Sequence, residues 1–430
     1  MILPDVRAAA ERIRGHVLRT PVYEVAPGLF FKLEQLQHSG SFKVRGAFNR
    51  ILSAGKLPEA GVIAASGGNH GLAVAYAARS LGVRAEIFVP TVTSPVKVAG
   101  LRALGAHITQ TGSIYSEAAE AAAKRAAETG ALEVHAYDQP EVVAGQGTVG
   151  LEIMEQTGGV DTILVAVGGG GLIAGITLGS GALRVEGVQE AGTATGQPGI
   201  VSATATEGGT VSDAGNARGA VGEARGEAGN VRGAGGEARG EAGNVRGAGG
   251  NARGAVGEAR GEAGKARGEA GEARGEAGNA HGVAGSARGS AGEIGREGGS
   301  RVLRGEGGPR VVAVEPELTH AMHSALEAGR PVPVKVSGVG ADALGATKVG
   351  VLAYDIVSRA GVESVLVSDE AIIEARRTLW EEHRLAVEHA GATAYAALLA
   401  GAYVPELGER VAVLVCGSNT DPATLVQRQG

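Results

Sequence analysis

The sequence predicts an α/β protein built on open, twisted parallel sheets, and three observations carry that prediction. Short apolar runs rich in β-formers recur along the chain, at 29–34, 61–66, 85–90, 161–167, 310–316, 364–368 and 410–416. Helical stretches lie between them, at 70–81, 95–104, 114–129, 141–156, 369–384 and 390–401. Two of the apolar runs stop at glycine-rich turns, SGGNHG (66–71) and GGGGL (168–172). Near-continuous apolar strands need cover on both faces, which crossover helices supply. In such sheets ligands bind at the carboxyl ends of the strands, so the residues just after each strand are where chemistry is to be sought.

Composition bounds the function class. The 430 residues are enough for two domains, and 43% apolar content allows a sizeable core. A net charge of −6 gives no footing for nucleic acid or an anionic membrane. The single cysteine, Cys416, excludes an intrachain disulfide and fits a cytoplasmic setting. No stretch approaches the roughly 18 consecutive apolar residues of a membrane span. The opening MILPDVRAAAERIRGHV reads as an amphipathic helix with Pro4 near its first turn, without the apolar core and cleavage site of a signal peptide. The expected partner is a small molecule, and a homodimer is left open.

Glycine is the anomaly, at 74 residues. It concentrates between 215 and 291, where units such as GNARGAV and GEARGEA repeat every seven residues with glycine first and fifth. Collagen needs glycine every third residue. A coiled coil needs large apolar residues in its seam, and none is present. A helix would lose about 1 kcal/mol at each glycine relative to alanine, so disorder is the expectation. The Arg-Gly pairs lack the aromatic residues that stack on bases. With its Gly-, Ser- and Thr-rich flanks this stretch is read as one low-complexity insertion, 185–306.

Four segments carry chemistry. SGGNHG follows an apolar run and opens a helix, so its backbone N–H groups favour an anion such as a carboxylate; a plain turn capped by Ser66 or Asn69 is the alternative. GGGGL lets the backbone approach a phosphate closely. It lacks the Lys-Ser/Thr ending of a P-loop and the GxGxxG spacing of a dinucleotide site. SGSFKVRGAFNRIL (39–52) places Lys43 in the first turn of a helix, where the macrodipole disfavours a cation and lowers its pKa. CGSNTDP (416–422) puts Cys416 at a strand's carboxyl end, in packing or in the ligand site.

Taken in order, SFKVRGA, SGGNHG, GGGGLIAG and CGSN resemble the fold-type II pyridoxal-phosphate (PLP) enzymes, within them the threonine/serine dehydratase and serine racemase group. HAYDQPEVVAGQGTVGLEI (135–153) and LAVEHAGATAYAALLAG (385–401) are also similar to that group. The resemblance implies a tryptophan synthase β-like fold of two parallel-sheet domains. The large one would comprise 1–48 and 146–430, interrupted by the insertion, and the small one 49–145. Carried over, Lys43 would form the Schiff base with PLP, Phe42 would flank the ring and Asn69 would bond its 3-oxygen. Gly168, Gly169, Gly170, Gly171 and Leu172 would hold the phosphate, and Cys416 would face the pyridine nitrogen. Ser66, Gly67, Gly68, Asn69 and His70 would bind the substrate carboxylate.

The activity implied is β-elimination of water from L-threonine or L-serine, giving 2-ketobutyrate or pyruvate plus ammonia. Lys43 would be the catalytic base. A thiol cannot keep the pyridine nitrogen protonated as a carboxylate would, which suits elimination better than transamination. Serine racemisation is the main alternative, but serine racemases carry a second Ser where Gly67 stands. An inactive scaffold bearing an interaction repeat is the other. Glu315 matches a cation ligand of the racemase-like branch, yet the acidic partner expected six residues on is Ala321, so no metal is assigned and Glu315 is read as a possible helix cap. His389 stands where the dehydratases usually have Pro. Only 11 residues follow Asn419, too few for a C-terminal regulatory domain.

Overall fold

The computed structural model describes residues 1–183 and 308–426. The low-complexity insertion expected at 185–306 lies outside the described residues. Within them ten strands are assigned: β1 (Val22–Ala26), β2 (Leu29–Leu33), β3 (Val62–Ala65), β4 (Ala85–Val89), β5 (His107–Gln110), β6 (Leu132–Glu133), β7 (Thr162–Ala166), β8 (Arg310–Pro316), β9 (Glu363–Val367) and β10 (Val411–Val415).

They form two sheets. One has the order β1-β2-β10-β7-β8-β9, the other β5-β4-β3-β6. The four strands of the second sheet fall between β2 and β7 in the chain. Register places Val413 beside Phe31 and Leu164, and Leu164 beside Val312. In the second sheet Ile87 pairs with Ala64 on one side and Ile108 on the other. All five residues of β7 and of β10 are buried, as central strands covered on both faces must be.

Two features depart from the expected pattern. The six-stranded sheet is not wholly parallel: β1 runs antiparallel to β2, with Tyr23 beside Phe31. Pro27 and Gly28 make a two-residue hairpin turn there, with Gly28 at φ +80°. The short strands β5 and β6 also escape the apolar-run reading, because HITQ is half polar and β6 is two residues long.

Glycine lets the two helices beside the glycine-rich turn touch backbone to backbone. Helices Pro140–Thr157 and Gly171–Gly179 approach so closely that a Cβ on Gly179 would lie 2.0 Å from the Gly147 carbonyl oxygen. The glycines of GQGTVG and GITLG are therefore a packing requirement.

The helix that begins at Lys43 (Lys43–Ser53) is anchored by buried charge. Arg45 reaches Glu34 Oε1 and Glu152 Oε1, each at 2.7 Å, and Lys32 reaches Glu152 Oε2 at 2.5 Å. Two cations thus meet two carboxylates, and Lys32 also donates to the Thr20 carbonyl at 2.8 Å. Removing one member of such a buried set costs about 3–5 kcal/mol. The cluster ties the helix carrying Lys43 to β2 and to helix Pro140–Thr157. No helix among the described residues is long and apolar enough to cross a membrane.

Candidate active site

A cleft opens where β7 and β10 end and where helices Lys43–Ser53 and Asn69–Ser80 begin. Its walls include Phe42, Lys43, Asn69, Gly168 to Leu172 and Cys416, so these sequence candidates converge there. Ser66, Gly67 and Gly68 lie on the adjoining β3–helix turn and His70 in the first turn of the helix, all outside the lining.

Lys43 is the first residue of its helix, and its Nζ donates to the Ala136 carbonyl at 2.7 Å. The amine also sits 5.2 Å from the centre of the Phe42 ring. Burial pulls its pKa down to about 8, against the opposing pull of Cys416 and Glu388. Desolvation is therefore the main cause, and the helix N-terminus acts in the same direction.

The glycine turn is shaped by its neighbours. A Cβ on Gly169 would lie 2.3 Å from the Tyr137 ring, and Gly170 has φ +91°. Gly170 precedes helix Gly171–Gly179, whose first backbone bond is Ala174 N–H to the Gly170 carbonyl at 3.0 Å. The N–H groups of Gly171, Leu172 and Ile173 consequently have no acceptor within the helix. Free N–H groups at a helix start favour an anion.

Cys416, at the end of β10 beside β7, is buried, and its Sγ donates to the Ala390 carbonyl at 3.3 Å. Burial pushes the thiol up, so it stays neutral. Asn69 is the first residue of its helix and Gly68 the cap, so neither Ser66 nor Asn69 caps it. Ser66 Oγ accepts from Gly68 N–H at 3.1 Å instead. The His70 ring turns into the protein, with Nε2 2.8 Å from the Val134 carbonyl, and burial pulls its pKa down to about 3.

Two polar lining residues went unassigned in the sequence. Tyr137 and Glu388 sit inside segments with recognisable similarity, but a lone tyrosine and a carboxylate before an Ala-rich helix carry no signal of a cleft. Glu388 Oε1 accepts from Asn69 Nδ2 at 2.6 Å. Glu315 lies elsewhere, accepting from Met322 N–H and His323 N–H at 2.9 and 2.7 Å, and so caps helix Ala321–Ala328.

A family model described as pyridoxal-phosphate dependent enzyme matches residues 13–220 and 275–417. The chain belongs to this family. Among the relatives of this PLP enzyme is the L-threonine ammonia-lyase of Thermotoga maritima, 42% identical over 184 residues, or 41% of this chain and 46% of that protein. The chain thus spans about half the length of the threonine ammonia-lyases it matches. Phenylserine dehydratase of Ralstonia pickettii is 28% identical across 100% of this chain and 97% of its own. Among solved structures, a threonine deaminase from T.th. has a TM-score of 0.63 at 26% identity, covering 98% of this chain and 99% of that one. Maize serine racemase has a TM-score of 0.64 at 23% identity, covering 99% and 95%, which shows the shared fold.

The residues present fit PLP, the family's cofactor. A buried amine of lowered pKa is available at Lys43. The glycine turn at a helix N-terminus suits a phosphate, and side chains larger than hydrogen are barred from Gly169 and Gly171 by Tyr137 and from Gly168 by Leu344. The thiol of Cys416 adds no charge to the cleft.

Proposed function

We propose that the chain eliminates water from small β-hydroxy amino acids, L-threonine or L-serine, releasing ammonia and 2-ketobutyrate or pyruvate. The observation that carries this reading is the buried Lys43 amine, its pKa near 8, in one cleft with the glycine turn. PLP, when bound, supplies a carbonyl that condenses with amines and a ring that withdraws electrons from the substrate's Cα. Lys43 is assigned as the attachment point and, once released, as the base whose Nζ takes the Cα proton. A pKa near working pH suits that task. Phe42 and Asn69 are assigned to the ring, and Gly168 to Leu172 to the phosphate. The N–H groups at the start of helix Asn69–Ser80, with the Ser66–Gly68 turn, are assigned to the substrate carboxylate. Cys416 would face the ring nitrogen as a neutral partner, which suits elimination better than transamination.

The full-length match to a phenylserine dehydratase supports a second substrate, one with an aryl group at Cβ. The test is a coupled assay of ammonia and 2-keto acid release from L-threonine, L-serine and threo-phenylserine, with the serine recovered and resolved on a chiral column. Keto acid formation supports elimination, and the fastest substrate decides between the two readings. A protein that holds PLP and releases no keto acid from any of the three refutes both.

A further inference from the structure

Glu388 is a carboxyl group in the cleft that the assignments above leave without a task. It precedes helix His389–Leu399 as its N-cap, yet its side chain makes no cap bond and lines the cleft. A Cβ on Gly417 would lie 2.1 Å from Glu388 Oε1, so the carboxyl is pressed against the end of β10 beside Cys416.

The orientation of its partner is set by a third residue. Asn419 Nδ2 donates to the Ser39 carbonyl at 2.8 Å and to Asn69 Oδ1 at 2.7 Å. The oxygen of Asn69 is thereby committed to Asn419, and its amide nitrogen faces Glu388. The hydrogen bonds run with one polarity from Asn419 through Asn69 to the carboxyl. One Asn69 N–H is held by Glu388, and the other remains for a ligand in the cleft.

We propose that Glu388 is a positioning residue that controls how Asn69 meets the cofactor ring, by holding or releasing one proton. Ionised, it grips the Asn69 amide in a charge-assisted bond. Protonated, it grips less and becomes a donor itself. The proton exchanges with solvent, so no co-reactant is required. Burial pushes this acid up to about 7, with the Asn69 bond pulling down, Asp342 pushing up, and Lys97 and Lys43 pulling down. The remaining facing groups are the neutral Cys416 thiol and Arg376, whose Nε donates to the Val387 carbonyl at 2.8 Å. The switch therefore falls in the physiological range.

The inference rests on the assignment of Lys43 and Asn69 to the cofactor, and not on which amino acid is consumed. The experiment is a pH titration of the visible absorbance of the PLP-loaded protein across about pH 5 to 9, a window that brackets an acid of this pKa. The wild type should show an inflection near pH 7. Glu388→Gln keeps a partner for Asn69 but carries no proton, and should lose the inflection. Glu388→Asp should restore one, displaced by about half a unit or more as its distance to Asn69 changes. A wild type without an inflection, a Gln variant with the wild-type inflection, or an Asp variant titrating at the wild-type pH overturns the inference. If Glu388→Gln fails to hold PLP, the wild-type and Asp titrations decide alone. A chain that never acquires a visible band fails the cofactor assignment instead, a result told apart by the absence of any spectrum to titrate.

Discussion

A Cβ on Gly308 would lie 2.3 Å from the carbonyl oxygen of Gly181, so the two ends that flank segment 184–307 meet. They meet beside the start of β8, where Arg310 pairs with Thr162 at the amino end of β7. The glycine turn is at the other end of β7. The chain therefore leaves and returns on the edge of the sheet away from the cleft. Closing a loop between adjacent ends costs little, and the cost grows only with the logarithm of length. Replacing residues 187–305 by a short Gly/Ser linker should leave PLP content and turnover per folded subunit within about three-fold of the parent. Loss of cofactor from a deletion that still folds would mean that the segment serves the site.

Lys43→Ala removes the attachment point and the base together. Turnover should fall by about 10²- to 10⁴-fold or more. In the parent, borohydride followed by peptide mass spectrometry should find the reduced cofactor on Lys43. Its appearance on another lysine would overturn the assignment.

Gly169→Ala forces a methyl into the Tyr137 ring, whose nearest atom would be 2.3 Å away. Overpacking of this kind costs about 1–3 kcal/mol. The variant should melt earlier and bind PLP more weakly, which a thermal melt and a cofactor titration would register. Unchanged affinity would detach the turn from the phosphate.

In the proposed reaction Gly67 would offer no group for the far face of the substrate, and it has little room for one. A Cβ there would lie 2.8 Å from Thr93 Cγ2. Gly67→Ser alone should disturb the loop. Combined with Thr93→Ser, which removes that methyl, it should add serine racemisation detectable by chiral chromatography. A wild type that racemises serine faster than it eliminates would contradict the role given to Gly67.

Acid stability should depend on Glu409, far from the cleft. Burial pushes its pKa up, but Thr162, Tyr403, the Glu406 N–H and Arg310 all donate to it and hold it down at about 2. Its contribution is complete above the ordinary glutamate value and is lost as pH falls from about 4.5 toward 2. In urea unfolding, the stability lost between about pH 5 and 3 should be smaller in Glu409→Gln, by about 2 kcal/mol or less. An equal loss in both proteins would show that the donors do not act on this group.

The strands β2, β3, β4, β7, β8, β9 and β10 were legible because strands covered by helices are predominantly apolar, and the local run of residues displays that. Lys43, the glycine turn and Cys416 were legible as cleft candidates because each stands at a strand end or helix start within one contiguous motif, and the resemblance of those motifs to the family supplied the roles proposed for them. The hairpin β1–β2 escapes a pattern of strands joined by helices, although Pro27–Gly28 marks a turn. Tyr137 and Glu388 had no such local mark. Glu388 acquires its environment from Asn69, 319 residues away, and from Gly417, and Tyr137 acquires its own from Gly169. The sequence by itself determined which elements form and which chemical groups they carry, since both follow from neighbours along the chain. Only the tertiary structure decided which of those groups share one cleft and how far burial moves their pKa values, because desolvation and hydrogen bonding depend on neighbours in space.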